Sequence, residues 1–245
     1  MVRIEKVPLE DRDIFRPILN TGSIYDAMAF YYVYDYSDRQ IELYGAFSGR
    51  IPVGFIVKAY TGLDLFRPLL LPVVAQQDVL TDLLHTALIP NRPAFLLLPL
   101  DQRDWLNSDV TLTQETKTDV FRLDPLSYQP VINVLVQAQP GLTGWPRYEI
   151  QQQDITIAAA GVNWAGDRFV EVYLDIVENP RELVFGKSVL AALCEDLLSK
   201  GKIPLLRLDE DYTYRRIMLE EVGFQQTGIR LTMFQAVLAN LEQES

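Results

Sequence analysis

Gly186-Lys187-Ser188 opens the apolar run SVLAALCEDLLSKG, and no other stretch of the chain comes nearer to a phosphate cradle. A nucleotide P-loop needs a glycine, four residues, then Gly-Lys-Ser or Gly-Lys-Thr. The first glycine would fall at position 181, which is Arg181. LLRLDE, residues 205–210, does imitate the acidic strand of such folds. The order of elements does not fit. Only one helix and one strand remain after Asp209, and the strands before the loop are joined by tight turns, whereas P-loop folds need several parallel strands linked by crossovers. A P-loop-like NTPase is left as a remote alternative.

The same residues can hold phosphate in another way. The first N–H groups of a helix lack internal partners, and the helix dipole adds partial positive charge there. A pyrophosphate suits that end. Val184, Phe185, Gly186, Lys187 and Ser188 are the expected backbone donors. Gly186 lets the chain approach with no Cβ in the way, Lys187 adds a point charge, and the Ser188 hydroxyl can cap the helix. Taken alone, these residues read better as a capped helix with an exposed lysine. On the strand-like FVEVYLDIV, alternation places Glu171, Tyr173 and Asp175 on one face.

Other chemistries lack their parts. Cys194 is the only cysteine, so no internal disulfide forms, and within VLAALCEDLL it reads as a buried, inert thiol. His85 is the only histidine, and neither a cysteine cluster nor a serine elbow accompanies it. It reads as structural, and no metal is expected.

Composition bounds the remaining classes. The chain has 245 residues, 49% of them hydrophobic, enough for a real core in one large domain or two small ones. Its net charge of −11, with no basic patch, argues against nucleic acid or an anionic membrane as partner. Acidity speaks first to solubility, and mildly favours a cationic substrate such as an amine. The N-terminus lacks a signal-peptide core, and no 18-residue apolar run exists, so a soluble, cytoplasmic protein is expected.

The elements that must position these residues occur twice. VRIEKV reads as a strand, LEDRDIFRPIL as a short helix, and RQIELYGAF with IPVGFIVKAY as a hairpin around Gly49. Residues 65–71 form a strand candidate, 74–88 a helix with Val79, Leu80, Leu83 and Leu84 at helical spacing, and 93–100 a buried strand. In the second half VINVLV (131–136) is a strand, YEIQQQDITIAAAGV and RFVEVYLDIV are strands around the turn NWAGD, and the helix from Ser188 is capped by Gly201. IPLLRLD is a buried strand, YTYRRIMLEEVG a helix ending in Gly223, and IRLTMFQAVL the last strand. Gly54 matches Gly161 and Asp101 matches Asp209, at offsets of 107 and 108. Two copies of one α/β unit, 1–125 and 126–245, explain this spacing.

In this order, with these residues, the chain resembles the GCN5-related N-acetyltransferase (GNAT) family. VEVYLDIVENP (170–180) is similar to the family's fourth strand, LVFGKSVLAALCEDLLSKG (183–201) to its acetyl-CoA loop and helix, and IPLLRLDEDYTYRRIMLEEVGF (203–224) to its fifth strand and the following helix. The first half resembles the same fold without the loop glycine, as in tandem members. The resemblance implies an α/β (α+β) fold of two tandem domains, each a mixed, mostly antiparallel sheet flanked by helices. It implies acetyl-CoA bound by Val184 to Ser188, with the pantetheine arm between splayed strands near Ile176 and Val177. It implies acetyl transfer to a primary amine of a small molecule or peptide, with room for a homodimer. Glu171 is the implied base, since members often carry a carboxylate there. The tyrosine that protonates the thiolate falls on Leu219, the loop Arg or Gln on Leu183, the second loop glycine on Ser188, and the helix-start asparagine on Tyr212. Tyr212, Tyr214, Tyr173 or water would then supply the proton. Without such a donor the chain is a non-catalytic acyl-CoA binder.

Overall fold

The computed structural model describes every residue except 1, 21, 63, 142–143, 177–182 and 240–245, and the chain divides into two compact units. Residues 1–117 with 230–245 make the first, and residues 118–229 the second.

The first unit begins with β1 (Val2–Val7), a 3₁₀ segment (Leu9–Ile18) and α1 (Ile24–Phe30), which continues into a π-helical turn at Tyr31–Asp35. Then come β2 (Ile41–Ser48), β3 (Ile51–Ala59), β4 (Leu69–Val74), α2 (Gln77–Ala87), β5 (Ala94–Pro99) and the opening of β6 (Val110–Leu123). Neighbouring strands β1 to β4 run antiparallel, and β4 and β5 run parallel. Helical spacing buries Val79, Leu80, Leu83 and Leu84 of α2 against Ile56, Leu70 and Leu96. Alternation turns Phe55 to the other face, where Phe15 of the 3₁₀ segment lies 4.8 Å away, ring to ring.

The second unit holds the end of β6, then β7 (Gln137–Pro140), β8 (Pro146–Gln152), β9 (Ile155–Ala165), β10 (Phe169–Ile176), α3 (Leu183–Ser199), β11 (Ile203–Asp209), α4 (Thr213–Val222) and the start of β12 (Phe224–Leu238). The strand order is β6-β11-β10-β9-β8-β7, antiparallel throughout except for β10 and β11. Val189, Leu190, Leu193 and Leu197 of α3 pack with Val170, Val172 and Ile176 of β10 and Leu206 and Leu208 of β11. The run β8-β9-β10-α3-β11 repeats β2-β3-β4-α2-β5, and Gly161 and Gly54 sit in the equivalent strands β9 and β3.

Several local expectations differ from the structure. Residues 118–125 group with the second unit and 230–238 with the first, in place of a division at 125/126, because Leu231–Ala236 of β12 pair with Ala94–Pro99 of β5. VINVLV is not a strand. Asn133 bonds the Leu135 N–H and its carbonyl accepts from Val136, closing a turn in place of a ladder. The run 148–162 is a hairpin, with Gln153 and Asp154 both at positive φ, 51° and 61°.

Candidate active site

β10 and β11 pair in register at only three positions, Phe169 with Ile203, Val170 with Pro204 and Glu171 with Leu205. Beyond them β10 runs on to Ile176 and β11 to Asp209 without pairing to each other. Each free stretch is anchored on its outer edge, β10 to β9 as far as Ile176 and β11 to β6 as far as Asp209. The inner edges therefore border a gap about 13 Å long, four residues at roughly 3.3 Å each. Edge N–H and C=O groups call for partners. The gap suits an extended ligand that carries amides.

At the open end of the gap stands the start of α3. The helix begins at Leu183, more than a turn before Ser188. In i→i−4 geometry the N–H groups of Lys187 and Ser188 reach back to the carbonyls of residues 183 and 184. These two are not free donors, which corrects the expected set. The N–H of Gly186 reaches back to residue 182, outside the described residues. Leu183, Val184 and Phe185 keep N–H groups with no acceptor outside the helix among the described residues. The first turn carries no acidic side chain.

Gly186 has a different reason from the one expected. A Cβ there would lie 2.7 Å from Ile176 Cγ2 and 3.5 Å from Met218 Sδ. Its bareness seats α3 on β10, and buried Gly186 offers no open face to a phosphate. Lys187 Nζ donates to Glu221 Oε2 at 3.0 Å, so its charge is paired. The Ser188 hydroxyl donates to Val131 O at 3.2 Å and does not cap its own helix. Beside these residues lies a cleft of about 260 Å³ between α3 and α4, walled by Val131, Leu183, Val184, Tyr214, Ile217 and Met218. Ile176 is the last residue of β10 and is buried; Val177 lies outside the described residues.

At the closed end, where β10 and β11 part, sits Glu171. The bulge at this level is on β9, where Asn163 is the extra residue between Val162 and Trp164. Alternation along β10 is thus unbroken, and Glu171, Tyr173 and Asp175 do share the face away from α3. Glu171 is 4% exposed. Its carboxylate accepts from Arg207 Nη2 at 2.8 Å, Trp164 Nε1 at 2.9 Å and Asn163 Nδ2 at 3.0 Å. Three of its roughly four lone-pair sites are taken. The Tyr173 ring lies over Gly161, where a Cβ would come within 2.5 Å of its hydroxyl oxygen, so this hydroxyl is turned toward β9 and away from the gap.

Tyr212 precedes α4 and stands three residues past the end of β11, at the opposite end of the gap from Glu171. The structure does not bring these two together. The Arg215 guanidinium lies 4.5 Å from the Tyr212 ring, and the hydroxyl has no partner among the described residues. Leu219 is fully buried. Burial pushes the Cys194 thiol well up, which fits an inert core cysteine. His85 lies half-exposed, 3.7 Å from Asp109. Among the described residues no group of three or more His, Cys, Asp or Glu could hold a metal ion.

No family model and no curated protein matches this chain. Solved structures do. A tandem GNAT protein from the clavulanic acid biosynthesis pathway, at 8% identity, superposes with a TM-score of 0.66 over 98% of this chain and 99% of its own. A GCN5-related N-acetyltransferase from Sphaerobacter thermophilus, at 7% identity, gives 0.61 over 98% and 96%. A GNAT-family acetyltransferase from Colwellia psychrerythraea, at 11% identity, gives 0.54 over 95% and 99%. The fold is therefore the tandem GNAT fold.

Proposed function

We propose that the second unit binds acetyl-CoA and transfers its acetyl group to a primary amine of a small molecule or peptide. One arrangement carries this reading: the start of α3, whose first N–H groups lack an acceptor outside the helix among the described residues, borders an apolar cleft and packs on β10 of a splayed strand pair. A diphosphate fits the N–H groups of Leu183, Val184 and Phe185, where the helix dipole favours anions. An amide-bearing arm fits between Val172–Ile176 and Leu206–Asp209, hydrogen-bonding the inner edges as an added strand does.

Bound acetyl-CoA supplies a thioester carbonyl open to attack by an amine. The chain must then deprotonate the ammonium and hand a proton to the departing sulfur. Tyr212, with no hydroxyl partner among the described residues, is the freer proton carrier. Glu171 has about one lone-pair site left for a proton, beside the three that its donors occupy. The acidic surface draws cationic amines. Cytoplasmic placement belongs to the same proposal, and no described helix is long and apolar enough to cross a membrane.

A second reading, a non-catalytic acyl-CoA binder, draws on two observations: Glu171 is buried under three donors, and Leu219 lies buried at the position of the usual tyrosine. Mass spectrometry of a panel of amines incubated with acetyl-CoA separates the two. Acetylated product that disappears with Tyr212→Phe or Glu171→Gln supports the transferase. Binding of CoA with no product from any amine supports the binder, and absence of binding sinks both.

A further inference from the structure

The first unit repeats the splayed pair, and something fills it. β4 and β5 pair in register only at Leu69 with Phe95 and Leu70 with Leu96. They then separate, β4 running to Val74 and β5 to Pro99. Into this opening α1 sends Tyr25. Its hydroxyl lies 2.6 Å from Pro72 O and 3.3 Å from Leu97 O, carbonyls of the two diverging strands. A phenol has one proton, so the short contact is the donated bond and Leu97 shares it weakly. Tyr25 is buried, and burial pushes its hydroxyl well above the ordinary tyrosine range, which keeps it protonated as a donor.

Three other features close the same opening. Pro72 has no N–H to offer a ligand. Gln102 Nε2 takes the Val74 carbonyl at 3.2 Å. The first turn of α2 carries Asp78, whose charge complements the helix dipole and opposes a phosphate, whereas the first turn of α3 carries no acid.

We infer that the first unit carries a second splayed-strand binding gap, closed by the chain's own Tyr25 in place of a ligand, so that each chain takes up one acyl-CoA and not two. The count of one rests on the acyl-CoA reading of the second unit; the closure by Tyr25 does not.

Calorimetric titration of the full chain with CoA should give one site per chain, and two sites would overturn the inference. No binding at all would sink the reading of the second unit and leave the closure to be judged by melting. Tyr25→Ala leaves a cavity the size of a phenol ring, and such cavities take up small aromatic molecules. Tyr25→Ala should melt lower than the parent, and phenol should restore more of the loss than equimolar benzene, with the parent moved by neither. Equal rescue by the two, or none, would show that the hydroxyl does not bridge the strands. Should Tyr25→Ala not fold, Tyr25→Phe keeps the ring and loses the proton. It should melt lower than the parent, and an unchanged melting temperature would contradict the inference.

Discussion

Donors from both neighbouring strands converge on Glu171 at the point where β10 and β11 separate, and this fixes what its replacement costs. Glu171→Leu takes its 2.8 Å carboxylate partner from the Arg207 guanidinium, whose side chain is only 29% exposed. The expected loss is about 2–4 kcal/mol of unfolding free energy, measured by denaturant titration, because the donors lose their acceptor together. Glu171→Gln keeps the shape and should cost less. Lys187 is held by Glu221 at 3.0 Å. Glu221→Gln should free its charge for an anion and tighten CoA binding about two- to fivefold, the worth of roughly 0.5–1 kcal/mol for an exposed pair. Cys194 titrates above its usual value of 9.0 in the fold, so the unfolded thiol ionises first. Its contribution to stability is complete below about pH 9 and is lost as pH rises beyond that. A thiol reagent at pH 8 should modify Cys194 only as fast as the chain unfolds; modification at the rate of a free thiol would contradict the burial.

The contact between α3 and β10 governs the geometry of the second unit's gap at the element scale. Gly186→Ala forces a methyl to 2.7 Å from Ile176 Cγ2. Overpacking of this kind costs about 1–3 kcal/mol. The double variant Gly186→Ala, Ile176→Val should recover part of that loss, a coupling visible in a double-mutant cycle. At this scale the sequence is readable wherever a period is long. α2, α4 and the body of α3 follow from their apolar spacing, and the alternation at Glu171, Tyr173 and Asp175 survives because the bulge falls on β9 and not on β10. The start of α3 is not readable: Leu183, Val184 and Phe185 read as well in a loop as in a first turn. The hairpin at Gln153 and Asp154 carries no glycine to mark its positive φ angles. VINVLV alternates like a strand, yet a pattern cannot say whether an edge is waiting for it.

Across the whole molecule, two copies of one strand-helix-strand unit differ in what occupies the opening between their parallel strands. In one the opening is filled by Tyr25, and in the other Arg207 crosses to Glu171 at the end where the strands part. The constant offset between Gly54 and Gly161 makes the duplication legible, since equivalent strands keep their order and spacing. The plug is not legible, because Tyr25 lies 47 residues from Pro72 and 72 from Leu97. Nor is the path of β12, whose Leu231, Phe234, Ala236 and Leu238 are buried and whose residues from 230 onward belong with the first unit. Deleting residues 230–245 should therefore unfold the first unit, read as loss of amide protection in β4 and β5, where protection left intact would contradict the division.

Hydrogen exchange of the full chain with and without CoA, followed peptide by peptide, tests the binding reading directly. Slowed exchange in the segments 172–176, 183–186 and 206–209, with β4, α2 and β5 unchanged, is the predicted result. Exchange that CoA leaves unaltered in those three segments, or that slows in β4 and α2 instead, would contradict it.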